Sequence, residues 1–304
     1  MTTHILINDI HPTSKTAVLL DLFSLTKPRL SSLVIFTSAL GMFLAPGEIT
    51  FVKAIFSILA TSGLVGGACA INCYMEKDID ALMDRTKDRP LPSGRISANT
   101  ALELGIALIT LCLTTLFVLV NPFTAFLGLV ATITYVFLYT PLKKKSPWAL
   151  FAGAIPGAIP PLMGWTTVTQ EASGLGLVLF SILFIWQIPH FLSIALYHLK
   201  DYDKAEIKTH PGHMGTNATI HRIAAYTLLL FLVSLGPYFI GSASVEYRNF
   251  IFILGGGYFL YSLIGYLYQD GSAELMQWAR RYFYGSLIYL PCVFFLMICF
   301  KLNS

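Results

Sequence analysis

The sequence predicts an all-α membrane protein, a bundle of nine transmembrane helices around a central cavity. Of its 304 residues, 55% are hydrophobic and only 12% are charged. Soluble domains usually carry about 25% charged residues, and the mean hydropathy of +0.68 is far from that class. Apolar runs of about 17–25 residues, long enough to cross a bilayer as helices, recur along the chain.

The nine predicted spans follow one another with short links. They are centred on residues 30–46, 52–74, 99–120, 122–140, 148–167, 174–197, 222–242, 249–268 and 282–300. We expect the fifth span to be broken, because it contains Gly153, Pro156, Gly157, Pro160 and Pro161. Residues 1–22 read as a cytoplasmic tail, and residues 23–304 as one transmembrane domain.

Basic residues predict the orientation. With nine spans, only Lys53, Arg248 and Lys301 of the 20 Lys and Arg residues fall on the side opposite the N-terminus. By the positive-inside rule the N-terminus is cytoplasmic and the C-terminus extracytoplasmic. The N-terminal residues lack the pattern of a signal peptide, and Asp9 and Asp21 argue against a transit peptide. We therefore expect a bacterial plasma membrane.

Residues 72–95, NCYMEKDIDALMDRTKDRPLPSGR, are the most informative segment of the chain. Asn72, Glu76 and Asp80 are spaced i, i+4 and i+8, so on a helix they share one face. Such hard oxygen ligands suit Mg²⁺, which takes one or two carboxylates together with substrate phosphates. Charged groups at a membrane boundary are costly unless an ion or a substrate offsets them, so we expect a binding site.

The remaining charges of the segment divide into two groups. Arg85, Lys87 and Arg89 would complement phosphate charge. Pro90 and Pro92 are expected to end the helix and to fold these cations back toward its carboxylates. Asp78, Asp84 and Asp88 fit a solvated loop as well as they fit a site.

This pattern resembles the first aspartate-rich motif of the UbiA superfamily of intramembrane prenyltransferases. The matching residues are Asn72, Glu76 and Asp80, followed by RT at 85–86, RPLP at 89–92 and Gly94. The variant EKDIDALM at 76–83 is similar to the haem O synthase branch. LTKPRL at 25–30, YTPLKKKSPW at 139–148, GAIPPLMGW at 157–165 and IWQIPHFLSIALYHLKDY at 185–202 agree with that branch.

The resemblance implies transfer of a farnesyl group from farnesyl diphosphate to a vinyl group of haem B, with water addition, giving haem O. It implies Mg²⁺ as cofactor, the lipid bilayer as surroundings, and no nucleic acid. The product would pass to a haem A-forming enzyme or an oxidase-assembly partner. In this scheme Asn72, Glu76, Asp80 and Arg85 are the catalytic residues.

A second cytoplasmic loop departs from the superfamily pattern. Where D-x-x-x-D is usual, this chain has KDYDK at 200–204. Asp201 and Asp203 are spaced i, i+2 and would lie on different faces of a helix. Asp201 is carried over as a metal and diphosphate ligand, and Lys143 and Lys200 as diphosphate-binding cations. Lys144, Lys145 and Lys204 would also serve the diphosphate as cations, and the three consecutive lysines 143–145 are at least as well explained as topology markers.

Histidines and aromatic residues complete the candidates. His190 follows Pro189 inside an apolar span; it would bind haem, or it would bond a carbonyl freed by a proline kink. His198 is the second haem-binding candidate, and with His210, His213 and His221 it is expected to be solvated or to face a propionate. Residues that would line a prenyl cavity, or else form interfacial aromatic belts, are Tyr135, Tyr139, Trp165 and Trp186.

Two other functions stay open. A UbiA-type polyprenyltransferase acting on an aromatic acid such as 4-hydroxybenzoate would share the first motif but should carry a regular D-x-x-x-D in the second loop. A cation-coupled transporter would use the segments broken around residues 156–161 and Pro189 as a midplane site. Its carboxylates would lie near the membrane midplane, where these spans have almost none.

Overall fold

The computed structural model describes residues 14–84, 86–199, 202 and 208–302, and these are almost entirely helical. The helices are α1 (Lys15–Leu25), α2 (Pro28–Leu44), α3 (Phe51–Asp80), α4 (Ala98–Thr115), α5 (Pro122–Ile133), α6 (Ala149–Thr169), α7 (Gly174–Tyr197), α8 (His210–Met214), α9 (Thr216–Ser234), α10 (Gly236–Phe239), α11 (Val245–Leu263) and α12 (Ala273–Cys299).

Among the described residues, seven helical segments are long and apolar enough to cross a membrane. They are Phe51–Asp80, Ala98–Val120, Pro122–Leu142, Gly174–Tyr197, Thr216–Phe239, Val245–Leu267 and Ala273–Cys299. The other two predicted spans are helical as well, but α2 has only 17 residues, and prolines and glycines lower the hydropathy of α6. The chain is thus a multi-pass membrane protein with seven clear spans.

Two sequence-based expectations about local structure are wrong. The fifth span is not broken, because α6 is one helix with Pro156, Pro160 and Pro161 inside it. Helix α3 ends at Asp80, ten residues before Pro90, so the two prolines belong to a loop of turns and do not end the helix. Helix α1 begins at Lys15, so the described end of the predicted N-terminal tail is helical.

Close backbone contact joins α2 to α6. A Cβ added to Gly41 would lie 2.0 Å from the carbonyl oxygen of Pro161, and one added to Gly164 would lie 2.0 Å from that of Ser38. Ser38 Oγ also donates to the carbonyl of Pro160 at 3.0 Å. Small residues at a helix interface allow this approach, so the two predicted spans outside the seven clear ones form one tightly packed pair.

Helix α5 continues beyond Ile133 through a π-helical segment, Thr134–Tyr139, and a last turn, Thr140–Leu142. The backbone N–H of Thr140 bonds the carbonyl of Tyr135, five residues back, as a π-helix requires. The rings of Tyr135 and Tyr139 stack with centroids 5.5 Å apart. Irregular turns of this kind are frequent at functional sites.

The two ends of the bundle are held by different contacts. At one end Lys301 Nζ donates to the carbonyl of Phe43, and Lys301 forms an isolated β-bridge with Ala243. The other end carries the loop 81–97, which is fastened to α1 by a two-point ion pair between Arg95 and Asp21, at 3.0 and 3.2 Å. The charged motif therefore lies at the end opposite Lys301.

Candidate active site

The last two turns of α3 present three buried oxygen-bearing side chains on one face. Asn72, Glu76 and Asp80 are only 2%, 5% and 2% exposed, and all three line one cavity. The predicted common face is therefore present in the fold. Buried carboxylates need a compensating charge, so their partners determine what the face can do.

Each of the three side chains is paired with a cation from a different segment. Lys27 Nζ donates to Asn72 Oδ1 at 2.8 Å, and Arg89 Nη1 to Asp80 Oδ2 at 2.8 Å. Lys143 Nζ lies 3.3 Å from both carboxylate oxygens of Glu76. Three cations thus converge on three oxygen-bearing side chains, which is the charge distribution that a metal–diphosphate pair would require.

The remaining bonds of the face fix its geometry. Asn72 Nδ2 donates to Thr140 Oγ1 at 3.0 Å, and Thr140 Oγ1 donates to the carbonyl of Tyr135 at 2.9 Å. Thr86 Oγ1 donates to the carbonyl of Asp80 at 2.8 Å and draws the loop back toward the helix end. Asn72 therefore has its amide oriented with Oδ1 toward Lys27.

The sequence did not identify Lys27 as a site residue, although the segment LTKPRL that contains it supports the family resemblance. It precedes Pro28 at the start of α2 and has left-handed backbone angles, φ 50° and ψ 66°. Such angles are uncommon for a non-glycine residue, and backbone strain concentrates at functional sites. A lysine next to the proline that begins a helix, at the start of a predicted span, was the available signal.

The cavity has a volume of about 600 Å³ and is mostly apolar away from the α3 face. Its walls come from α2, α3, the end of α5, α6, α7 and the segment 208–210. Tyr135, Tyr139 and Trp186 line it, as predicted for three of the four aromatic candidates. Trp165 does not; it is buried against Gly174 and Gly176. A polar end joined to an apolar body suits an amphiphilic substrate.

Other predicted residues of the motif lie outside this cavity. Lys87 is exposed and pairs with the exposed Asp84 at 3.1 Å. Asp78 and Asp88 are also exposed. Among the described residues these charges form a solvated surface, so the placement of Lys87 gives no support to a diphosphate role.

Several predicted site residues lie outside the described part of the chain. They are Arg85, Lys200, Asp201, Asp203 and Lys204. The described neighbours of the second loop nevertheless meet the first loop. Tyr202 packs with Met83, and Tyr202, Lys208 and Thr209 line the same cavity. The described residues of the second loop therefore lie beside the first loop.

The histidines separate into two groups. His190 and His210 are buried and line the cavity. His190 Nδ1 lies 2.6 Å from Ser286 Oγ, so the bonded partner of His190 is a serine hydroxyl and not the carbonyl freed by Pro189. The expectation that His210 is solvated is wrong, because the side chain is buried. Burial, together with the nearby charges of Arg222 and His213, lowers the pKa of His210 to about 4.

Three other histidines lie apart from the cavity lining. His198 is half-buried and contacts the ring of Tyr197. His213 and His221 are exposed, and His221 Nδ1 lies 2.7 Å from the hydroxyl of Tyr266. The second haem-binding candidate from sequence, His198, is thus not a cavity residue.

The donor set fits a magnesium ion that is completed by substrate. The described residues contain no cluster of three or more His, Cys, Asp or Glu side chains that would form an all-protein metal site. They do offer two carboxylates and an amide oxygen on one face, and Mg²⁺ characteristically takes few protein ligands and relies on phosphate oxygens and water. The face is therefore a partial site.

Residues 34–288 match the model of the UbiA prenyltransferase family. The chain belongs to the UbiA prenyltransferase family. It is 46% identical to the protoheme IX farnesyltransferase of Anaeromyxobacter dehalogenans, covering 91% of this chain and 92% of that protein. It is 44% identical to the enzyme of the same name from Myxococcus xanthus, with 90% and 92% coverage.

Solved UbiA structures share the fold. A UbiA homologue from Archaeoglobus fulgidus bound to DMAPP and Mg²⁺ superposes with a TM-score of 0.68 at 18% identity, covering 91% of this chain and 99% of that one. A structure of digeranylgeranylglyceryl phosphate synthase gives a TM-score of 0.78 at 16% identity, with 92% and 97% coverage. The all-helical fold of this UbiA chain is thus shared with both.

Proposed function

We propose that this UbiA protein transfers a farnesyl group from farnesyl diphosphate to a vinyl group of protohaem IX, giving haem O and diphosphate. The observation that carries the proposal is the α3 face, on which Asn72, Glu76 and Asp80 meet three cations at the polar end of an apolar cavity. The names of relatives up to 46% identical over most of the chain support the choice of substrates.

Diphosphate binding would use the cations that now neutralise the α3 face. Lys27, Arg89 and Lys143 each stand beside an oxygen donor and line the cavity. When substrate arrives, these cations can turn from the carboxylates to the phosphate oxygens without leaving the site. Charge-assisted bonds of this kind are shorter and about twice as strong as neutral ones.

Asn72, Glu76 and Asp80 would hold Mg²⁺ together with the diphosphate, and Asp201 remains a candidate ligand from the second loop. Bound there, Mg²⁺ supplies positive charge to the leaving diphosphate. A UbiA homologue bound to DMAPP and Mg²⁺ supports the use of a divalent ion in this fold.

The reaction breaks the bond between the farnesyl C1 and the diphosphate oxygen, and the electron pair leaves with the diphosphate. Lys27, Arg89 and Lys143 stabilise that growing charge. The stacked rings of Tyr135 and Tyr139 line the same cavity as the α3 face, and their π faces would stabilise an allylic cation. The vinyl π electrons form the new C–C bond, and water adds to the resulting cation and loses a proton to become the hydroxyl.

The finer features of the topology belong to the same proposal. We infer nine spans around a central cavity, with α2 and α6 crossing the membrane alongside the seven clear spans. The charge asymmetry places the N-terminus, the α3 face and the cavity mouth on the cytoplasmic side of a bacterial inner membrane. Residues 23–304 would then act as one domain.

The test uses membranes containing the full chain, incubated with haem B, farnesyl diphosphate and Mg²⁺. Haem O should form, and a chelator should prevent it. Asp80→Asn should lower turnover by about 100-fold or more, because the face loses one of the two carboxylates proposed to hold Mg²⁺ with the diphosphate. Asp78→Asn, an exposed carboxylate on the same helix, is the matched control and should retain activity.

Two results would contradict the proposal. One is the absence of any more hydrophobic haem in the wild-type reaction. The other is equal activity of the Asp80→Asn and Asp78→Asn proteins. Prenylation of 4-hydroxybenzoate in a parallel reaction, with no haem product, would favour the aromatic-acid alternative.

A further inference from the structure

The tautomer of His190 is set by its partner on α12. His190 Nδ1 and Ser286 Oγ are 2.6 Å apart, and Ser286 Oγ also donates to the carbonyl of Phe283 at 2.6 Å. A serine hydroxyl has one proton, so when that proton goes to the carbonyl, Nδ1 must carry the hydrogen of the other bond. The opposite assignment would bring two oxygen acceptors to 2.6 Å without a proton between them. Nε2 of His190 is therefore the bare lone-pair nitrogen.

The same serine also holds the ring next to the histidine. Trp186 Nε1 donates to the carbonyl of Ser286 at 2.8 Å, and the His190 ring stacks on Trp186 with centroids 4.5 Å apart. The ring of Phe283 lies 4.9 Å from His190 on another side. Ser286 thus fixes both the protonation and the orientation of the imidazole.

Nε2 of His190 is left available to a ligand. It makes no hydrogen bond with the described residues, it is not among the enclosed unpartnered atoms, and His190 lines the cavity. The rings of Trp186, Phe191 and Phe283 surround the imidazole and would offer aromatic contacts to a porphyrin. A neutral imidazole whose other nitrogen donates to a fixed oxygen is the usual form of a metal-ligating histidine.

We propose that Ser286 is a positioning residue that holds His190 as the nitrogen ligand of the haem iron, through Nε2. The inference rests on haem being the acceptor substrate, as proposed above. Fixing the iron would fix the porphyrin, and with it the place of the vinyl group relative to the α3 face. Ser286 itself touches neither substrate.

A second histidine on the cavity wall has a related arrangement but a different outcome. His210 Nδ1 lies 2.8 Å from Thr219 Oγ1, which donates to the carbonyl of Gly215 at 2.9 Å. By the same reasoning its Nε2 is the bare nitrogen, yet that atom is enclosed and finds no hydrogen-bond partner among the described residues. His210 would need a rearrangement to reach iron, so the structure favours His190.

The experiment titrates the purified full chain in detergent with protohaem alone, without farnesyl diphosphate. The wild type should show the absorption spectrum of histidine-ligated haem. His190→Ala should lose it, and free imidazole should restore it. Ser286→Ala should weaken haem binding by about 10- to 100-fold. Ser286→Ala should also lower the iron–histidine stretching frequency in the resonance Raman spectrum of the ferrous complex, because the hydrogen bond that Nδ1–H donates to Ser286 is lost.

Ser262→Ala is the matched control. Ser262 is a fully buried serine that donates to the carbonyl of Phe259 at 2.6 Å, as Ser286 does to its own i−3 carbonyl, and no histidine is bonded to it. It should leave both the affinity and the stretching frequency unchanged. A loss of packing alone would move the affinity of both serine variants together and would not move the frequency.

Several results would overturn the proposal. They are a histidine signature that survives in His190→Ala, a signature lost in His210→Ala instead, or an unchanged frequency in Ser286→Ala. A wild type that forms haem O but shows no histidine-ligated haem would also remove it. The reverse result, histidine-ligated haem without haem O, would remove the proposed function and keep the ligation.

Discussion

Replacing Lys27 with methionine is the sharpest test of the site. The substitution keeps an unbranched side chain, one atom shorter, but removes the ammonium that donates to Asn72 Oδ1 at 2.8 Å. A hydrogen bond to a charged group contributes about 1.5–3 kcal/mol. If that interaction passes to the diphosphate in the transition state, kcat/KM should fall by about 10- to 150-fold.

The backbone at Lys27 allows charge and conformation to be separated. Left-handed angles cost a non-glycine residue about 1–2 kcal/mol, and glycine adopts them freely. Lys27→Gly should therefore lose as much activity as Lys27→Met while its unfolding temperature stays equal to that of wild type or rises. If Lys27 had only a structural role, the opposite result would be seen: Lys27→Gly would keep its activity per folded molecule, and its unfolding temperature would fall.

The assay is haem O formation at several farnesyl diphosphate concentrations, with thermal unfolding of each variant in detergent. Arg29→Met is the matched control, since Arg29 is an exposed cation two residues along the same helix. It should retain wild-type kcat/KM. Activity of Lys27→Met within twofold of wild type, or an equal loss in Arg29→Met, would refute the reasoning.

Three further outcomes are expected. Glu76→Gln should lower turnover by about 100-fold without unfolding the protein, because Lys143 loses its anionic partner and the α3 face loses a carboxylate. Product analysis together with a thermal melt checks this, and near-normal turnover would contradict it. Gly164→Ala should destabilise the fold by about 1–3 kcal/mol, whereas Gly256→Ala, with open space around it, should not; equal melting temperatures would count against the contact. His210 is neutral in the fold with a pKa of about 4, so acid below about pH 6.5 protonates the unfolded chain first. Stability should fall between pH 6.5 and 4, and less so in His210→Gln; parallel melting curves would contradict it.

Sequence alone predicted the membrane class and the α3 face because both depend on local patterns. Apolar runs of membrane length are visible without tertiary structure, and the i, i+4, i+8 spacing of Asn72, Glu76 and Asp80 puts them together on any helix. The effect of proline was misjudged. Within α6 the packing against α2 and α7 keeps the helix continuous, which sequence propensity does not show.

The partners of the site could not be predicted because they are distant in sequence. Lys27 is 45 residues from Asn72, Lys143 is 67 residues from Glu76, and Ser286 is 96 residues from His190. Only the packing of α2, α5 and α12 around the cavity brings them into contact. Lys87 had the right charge and the right neighbours in sequence, but its place in the loop turns it toward solvent.

The π-helical segment of α5 sets the register of the site residues that follow it. Thr134–Tyr139 holds one residue more than an α-helix would use there, and Thr140 and Lys143 come after it. If the same residues wound as a regular α-helix, everything after the segment would rotate by about 100° about the helix axis. Thr140 would then turn away from Asn72, and Lys143 from Glu76, although every contact residue would still be present. The site therefore depends on how this part of α5 is wound as well as on which residues it contains.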